Sequence, residues 1–102
     1  MDVKPGTRLR STTDSTEVVV VRAPAGPLDL RCGGQPMVAV DAERGDDLPI
    51  EAGFDEGSQI GKRYADEEVG VEILCTKAGP ASLSIGTETL HIKGAKPLPS
   101  SD

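Results

Sequence analysis

Aromatic side chains are nearly missing from this chain: Phe54 and Tyr64 are the only two, and there is no tryptophan. Any core in its 102 residues must therefore be built from Val, Ile, Leu, Met and Ala, each large one contributing about 1.5–3 kcal/mol when fully buried. Long apolar runs are missing too. The longest unbroken stretch of Val, Ile, Leu, Met or Phe is Val18–Val21, far short of the roughly 20 residues a membrane-spanning helix needs. The opening Met1–Gly6 has no apolar stretch of the kind that marks a secretory signal. A basic excess is absent: 11 Lys and Arg stand against 17 Asp and Glu, for a net charge of −6. That argues against nucleic acid, which asks for a basic face, and equally against an anionic membrane surface.

The charge is unevenly placed. Residues 1–40 hold four acids and five bases, and residues 61–102 hold six acids and five bases. Residues 41–60 hold seven acids (Asp41, Glu43, Asp46, Asp47, Glu51, Asp55 and Glu56) against Arg44 alone. This middle segment accounts for the net charge of the chain. Cysteine is scarce, with Cys32 and Cys75 only. Without a secretory signal they read as thiols in a reducing, cytoplasmic compartment, with a disulfide left as the alternative.

What the chain does have is an echo of itself. Residues 17–40, EVVVVRAPAGPLDLRCGGQPMVAV, are matched loosely by residues 71–92, VEILCTKAGPASLSIGTETLHI. Ala25-Gly26-Pro27 returns as Ala78-Gly79-Pro80, an offset of 53 residues. At that offset Val20 falls on Ile73, Leu30 on Leu83, Gly33 on Gly86 and Met37 on Leu90. Apolar-for-apolar and Gly-for-Gly matching is what a folding constraint produces. Halves of about 40 residues are marginal alone because burial falls with size, so packing the two together is the expected remedy.

The pattern predicts an all-β protein: a single domain over 1–102, with repeat one at 6–40, an acidic linker at 41–60, repeat two at 61–95 and a fraying tail at 96–102. No segment has a 3.6-residue period. In the first unit, strands are expected at Thr7–Arg10, Glu17–Ala23, Leu28–Cys32 and Met37–Val40. The unbroken valines of the second strand suggest burial on both faces or at an interface between the repeats. The run Ser11-Thr12-Thr13-Asp14-Ser15 reads as a turn whose side chains bond their own backbone. In the second unit, Gly61–Tyr64 echoes Gly6–Leu9, Asp66–Gly70 turns, and strands follow at Val71–Thr76, Leu83–Ile85 and Thr89–Ile92. Glu17–Ala23 and Val71–Thr76 are expected to lie near a pseudo-twofold axis and to pair directly. The linker has few apolar residues, which predicts a mobile loop that Leu48, Ile50 and Phe54 pin to the core at one or two points, with Phe54 the main anchor, and a short helical turn near Leu48–Ala52, where Pro49 suits a first helical position.

Candidate chemistry is sparse. His91 is the sole histidine, set between Leu90 and Ile92, and reads as an exposed strand residue with no partner specified for acid–base work. Cys75 reads as a buried structural thiol. Cys32, at a corner beside Gly33-Gly34, is expected to be exposed and is the better candidate for a reactive thiol. The two glycines are not a phosphate loop, because no helix or Lys-Ser/Thr follows. The acidic linker fits no twelve-residue calcium loop.

On these residues the chain resembles the rubredoxin-type iron domain of desulforedoxin and of the amino-terminal part of desulfoferrodoxin. Cys32-Gly33-Gly34-Gln35-Pro36-Met37 is similar to the end of that pattern, with one cysteine where it has two, and Gly61-Lys-Arg-Tyr-Ala-Asp-Glu-Glu-Val-Gly70 looks like its knuckle without the cysteines. The likeness covers roughly 6–40 and 61–95. It implies two metal-domain units fused in tandem, related by a pseudo-twofold axis and joined by the acidic loop. It places the metal-ligand positions on Ser11, Asp14, Cys32 and Gly33 in the first unit. In the second they fall on Asp66, Val69, Ile85 and Gly86, and the knuckle match needs an offset of 55 instead of 53. Those residues are too poor in thiolates for iron or zinc, so neither metal nor cofactor is expected. The reading that follows is a monomeric, non-enzymatic accessory module that docks on a protein partner. Two alternatives stand beside it: a metal or redox protein using Cys32 with unidentified partners, and a small thiol-dependent enzyme.

Overall fold

A computed structural model describes residues 2–42 and 47–93. Met1, residues 43–46 and residues 94–102 lie outside the description, so the expected fraying of 96–102 and four residues near the start of the acidic linker fall outside it too.

Every regular element among the described residues is a strand. In the first half these are β1 (Arg8–Arg10), β2 (Glu17–Arg22), β3 (Leu30–Cys32), β4 (Gln35–Pro36) and β5 (Val38–Ala39). In the second they are β6 (Arg63–Asp66), β7 (Val71–Lys77), β8 (Leu83–Ile85), β9 (Glu88–Thr89) and β10 (His91–Ile92). They form two antiparallel sheets, one in the order β10-β6-β7-β2-β1-β5, the other in the order β4-β3-β8-β9. No described helix is long and apolar enough to cross a membrane. The helical turn expected near Leu48–Ala52 is not formed; Pro49 lies in an irregular segment whose neighbouring amides bond elsewhere, as described below.

The four valines of β2 do not bury both faces. Val18 and Val20 are buried, Val19 is half-buried and Val21 is exposed. This is the two-residue alternation of a strand with one face on a core. The run is apolar because β2 sits in the middle of its sheet, between β1 and β7. The pairing of β2 with β7 is direct and antiparallel, as expected, with Val18 opposite Cys75, Val19 opposite Leu74 and Val20 opposite Ile73. In the second sheet β3 meets β8 in the same sense, with Leu30 opposite Ile85, Arg31 opposite Ser84 and Cys32 opposite Leu83. Both sheets are thus joined at their centres by a pair made of one strand from each half.

The last two strands of each half are short because the chain changes sheet between them. β4 belongs to the four-stranded sheet and β5 to the six-stranded one, with buried Met37 at the crossing. β9 and β10 divide in the same way around buried Leu90. The strands expected at Met37–Val40 and Thr89–Ile92 are each split by this crossing. A single core cluster results, drawing Leu9, Val18, Val20, Ile73 and Cys75 from one sheet and Leu30, Cys32 and Leu83 from the other.

Backbone bonds in the two halves coincide in detail. Gly6 N–H donates to Val20 O (2.7 Å) and Val20 N–H to Thr7 O (2.8 Å). Fifty-five residues later Gly61 N–H donates to Cys75 O (2.8 Å) and Cys75 N–H to Lys62 O (3.0 Å). Gly6 and Gly61 both have positive φ, 92° and 79°, which a side chain would strain. Further along the spacing is 53: Met37 N–H donates to Leu30 O (3.1 Å), and Leu90 N–H to Leu83 O (2.9 Å). The two missing residues are in the connection after the central strand, which spans 23–29 in the first half and 78–82 in the second. In the first two strands Val20 therefore shares its bonding with Cys75, whereas the sequence offset of 53 had set it on Ile73, its cross-strand partner.

Candidate functional site

The turn after β1 is densely hydrogen-bonded. Ser11 Oγ accepts from the amides of Thr13 (3.0 Å) and Asp14 (3.2 Å), and Asp14 Oδ1 accepts from the amide of Thr16 (3.0 Å). This is the side-chain-to-backbone bonding that Ser, Thr and Asp favour. The turn then reaches across the fold. Asp14 Oδ2 accepts from the amide of Ala81 in the other half (2.9 Å) and from the Thr16 hydroxyl (3.0 Å). The Cys32 thiol lies 3.9 Å from Asp14 Oδ1, in donor geometry. Thr16 Oγ1 is also 3.3 Å from Ser58 Oγ, and the Gly79 amide donates to Ser58 Oγ (3.3 Å). Ser11, Thr16, Cys32, Ser58 and Ala81 are all buried, while Asp14 is half-buried.

The charges follow from this wiring. Burial pushes the Asp14 carboxyl up, but the amides of Ala81 and Thr16 and the hydroxyls of Ser11 and Thr16 outweigh it, so the group sits below the usual carboxylate range. Burial pushes the Cys32 thiol up to about 11. Burial also raises Cys75, against hydrogen bonds from Ser58 and the Lys77 backbone. Both cysteines are free and buried. Cys32 is fully buried and not exposed as expected from its corner position; Gly33-Gly34 makes the corner, but the Cys32 side chain points to the core face of β3.

Three of the four ligand positions carried over for the first unit, Ser11, Asp14 and Cys32, do come together. The fourth, Gly33, adjoins them: a Cβ placed on it would stand 2.8 Å from Thr13 Oγ1. The residues present do not fit iron or zinc. They offer one thiol held protonated, one carboxylate and one hydroxyl, each already engaged by protein donors. Among the described residues no group of three His, Cys, Asp or Glu side chains converges for a metal.

In the second unit Asp66, Val69 and Ile85 line one open groove of about 600 Å³, and Gly86 is not part of it. Ala65, Val69 and Ile85 supply its apolar surface, Asp66, Glu67, Glu68 and Glu88 its carboxylates, and the exposed His91 one edge. In the first half, residues 48–51 bond back onto the turns of the body of the fold. Leu48 N–H donates to Thr12 O (2.8 Å), Gln35 Nε2 to Pro49 O (3.5 Å) and Glu51 N–H to Gly33 O (2.8 Å). The linker continues to be pinned beyond this point: Ser82 N–H donates to Phe54 O (2.8 Å) and Ser58 N–H to Gly79 O (3.0 Å). The part of the linker that is described is therefore anchored by its backbone at several places, and not by Phe54 alone.

A second charged cluster joins the sheet edge. Glu72 receives Lys93 Nζ at 2.6 Å and Arg63 at 3.2 Å. The bond from Lys93 is the main cause that holds its carboxyl below the usual range. Sequence reasoning found the Ser11–Ser15 turn but missed that Asp14 bonds across to Ala81, and it missed Thr16 and Ser58 altogether. The only signal was the unbroken run of small polar residues from Ser11 to Thr16. Compared with known proteins, the chain matches no family model, no curated protein and no solved structure.

Proposed function

We propose that the chain is a tandem duplication of a desulforedoxin-like unit that has lost its metal, and that it acts as a non-enzymatic protein-interaction module in a reducing cytoplasm. Several observations support the duplication. Strand pairs β1·β2 and β6·β7 have the same register at a spacing of 55: Arg8–Val19 corresponds to Arg63–Leu74, and Leu9–Val18 to Tyr64–Ile73. Pairs β3·β4 and β8·β9 agree at 53, with Arg31–Pro36 matching Ser84–Thr89. The self-matching pairs, Val19 with Leu74 and Arg31 with Ser84, mark where a pseudo-twofold axis would pass through each sheet. On this reading the chain is one domain and a monomer with an internal pseudo-dimer.

The observation that carries the loss of metal chemistry is the hydrogen-bonded closure of Ser11, Asp14 and Cys32 on one another and on Ala81. A ligand set that is already satisfied serves the fold. What is left for function is surface, and its strongest feature is acidic: Asp47, Glu51, Asp55 and Glu56 are exposed along the linker. A basic patch on a protein partner suits that strip, and such contacts weaken with salt because exposed charges are screened beyond about 8–10 Å.

Affinity capture at low and high salt, with elemental analysis of the purified chain, tests this. We expect one partner recovered in fixed stoichiometry at low salt and lost at high salt, no stoichiometric transition metal, and a melting temperature unmoved by chelator. Stoichiometric iron or zinc, together with a lower melting temperature in chelator, would overturn it in favour of a metal protein.

A further inference from the structure

We infer that the outer face of the six-stranded sheet is a docking surface for an extended acidic segment of a protein partner, one that carries an aliphatic side chain between two carboxylates. The face is separate from the acidic strip of the linker, and the inference does not depend on the duplication. Leu9, Val18, Ile73 and Tyr64 are buried on the core side, so their neighbours Arg8, Val19, Leu74 and Arg63 point the other way. The register sets those four side by side across β1, β2, β7 and β6: Arg8 opposite Val19, Val19 opposite Leu74, and Leu74 opposite Arg63. Both arginines are exposed, and both aliphatic residues are half-buried and outside the core cluster. Val21, 38% exposed, continues the apolar strip along β2.

Charge on this face runs against the sign of the whole. The chain carries −6, yet the acids of β2 and β7 that rise here are already answered: Glu17 by Lys77 (3.2 Å), and Glu72 by Lys93 (2.6 Å) and Arg63 (3.2 Å). Arg8 has no ion-pair partner among the described residues. Arg63 gives one Nη to Glu72 and keeps its other donors, with its side chain 56% exposed. Arg8, Val19 and Lys77 also border a hollow of about 310 Å³, where a carboxylate can meet the guanidinium fork. Adjacent strands lie about 4.8 Å apart, so the three gaps from β1 to β6 separate the two arginine backbones by about 14 Å. An extended segment covers about 13 Å between a residue and the fourth beyond it, and the residue midway points to the same side. Acids at those two ends and a leucine between them therefore meet Arg8, Arg63 and the Val19–Leu74 pair together. The linker of a second copy does not offer such a segment, because the amides of Leu48, Glu51 and Ser58 tie it to its own body. Single-stranded nucleic acid suits the face less well: it binds by stacking bases on aromatic rings, Phe54 and Tyr64 are the only rings in the chain, and Tyr64 is buried on the core side.

Methyl-labelled full-length protein, titrated with a synthetic peptide bearing glutamate, leucine and glutamate at alternate positions, tests this by NMR. We expect saturable shifts of the Val19 and Leu74 methyls with half-saturation below about 1 mM, weakening as salt is raised. In R8Q the core methyl of Ile73 should stay in place while half-saturation needs roughly two- to fivefold more peptide, the range of one exposed ion pair. Val19 and Leu74 methyls that do not move, or that move as readily for a peptide with lysines in place of the glutamates, would overturn the inference. So would R8Q binding as tightly as wild type. Tighter binding of an oligothymidylate of matched charge would also overturn it, since the occupant would then be a nucleic acid. Shifts of the same methyls on concentrating the protein without peptide would do so as well, since the occupant would then be a second copy.

Discussion

Asp14 is the residue on which a single substitution should say most. Its carboxylate is the shared acceptor for the amides of Thr16 and Ala81 and for the Thr16 hydroxyl, so it ties the first turn to the opposite half of the chain. In Asp14→Ala both amides lose their acceptor at buried positions. A buried donor left unsatisfied costs about 1–3 kcal/mol. Asp14 is only half-buried, so water can reach part of the gap, and the lower end of that range applies. The Thr16 hydroxyl adds little, because Ser58 Oγ stands 3.3 Å away as a substitute. The total is about 2–4 kcal/mol, against a stability of about 5–15 kcal/mol for a domain of this size. With a urea dependence of about 1.5 kcal/mol per molar, the unfolding midpoint should fall by about 2 M.

The pH dependence adds a check independent of size. Asp14 has a lowered pKa in the folded state and about 3.9 unfolded. A depressed carboxyl stabilises the fold fully above its unfolded value, and that stabilisation is lost as pH falls through the folded value. Urea midpoints of wild type and Asp14→Asn should therefore differ most at neutral pH and converge below about pH 4. Glu72 is lowered as well, through Lys93 and Arg63, so both proteins retain some acid sensitivity. A midpoint for Asp14→Ala within about 0.5 kcal/mol of wild type, the range of an ordinary surface change, would refute the argument. So would a gap between wild type and Asp14→Asn that does not change with pH.

Three further expectations follow from the same geometry. In Gly79→Ala the new Cβ would collide with Asp14 Oδ2 and stand 2.6 Å from Thr16 Oγ1, an overpacking that costs about 1–3 kcal/mol; because it strikes the same node, its urea midpoint combined with Asp14→Ala should be clearly non-additive, and simple additivity would show the two sites to be independent. Cys32, buried with a thiol near 11, is about one part in a thousand thiolate at pH 8, so a thiol reagent should label it more than about a hundredfold slower than free cysteine, and fast labelling of the folded protein would restore it as a reactive thiol. The amides of Leu48, Glu51 and Ser58 donate to carbonyls of the body of the fold and should be protected in hydrogen exchange, whereas exchange at the rate of an open chain would return the linker to the mobile loop expected from its composition.

Much of the architecture was legible because it is written in short-range chemistry. Alternation at Leu28, Leu30 and Cys32 marked three buried positions, although the strand itself begins only at Leu30. The Gly33-Gly34 pair and the Ser11–Ser15 run marked corners, since positive φ and side-chain-to-backbone bonds are local properties. The direct pairing of Glu17–Arg22 with Val71–Lys77 was also within reach, because two strongly apolar strands in a chain this short must lie near its centre. What misled was burial read from hydrophobicity alone. Val21 is exposed although it ends a run of four valines, and Cys32 is buried although it adjoins two glycines.

The linker shows why the rest was out of reach. Its acids and glycines predicted a segment unable to bury enough surface to offset ordering entropy, and Leu48 is indeed 43% exposed. Yet order here does not come from apolar burial alone, although Ile50 packs against the core. It comes from amides that find carbonyls left over where other turns leave their sheets: Thr12 O, Gly33 O and Gly79 O. Such acceptors exist only once β1, β3 and β7 are in place, so no local pattern announces them. A buried carbonyl must find a donor from some source, and in the first half the linker is that source.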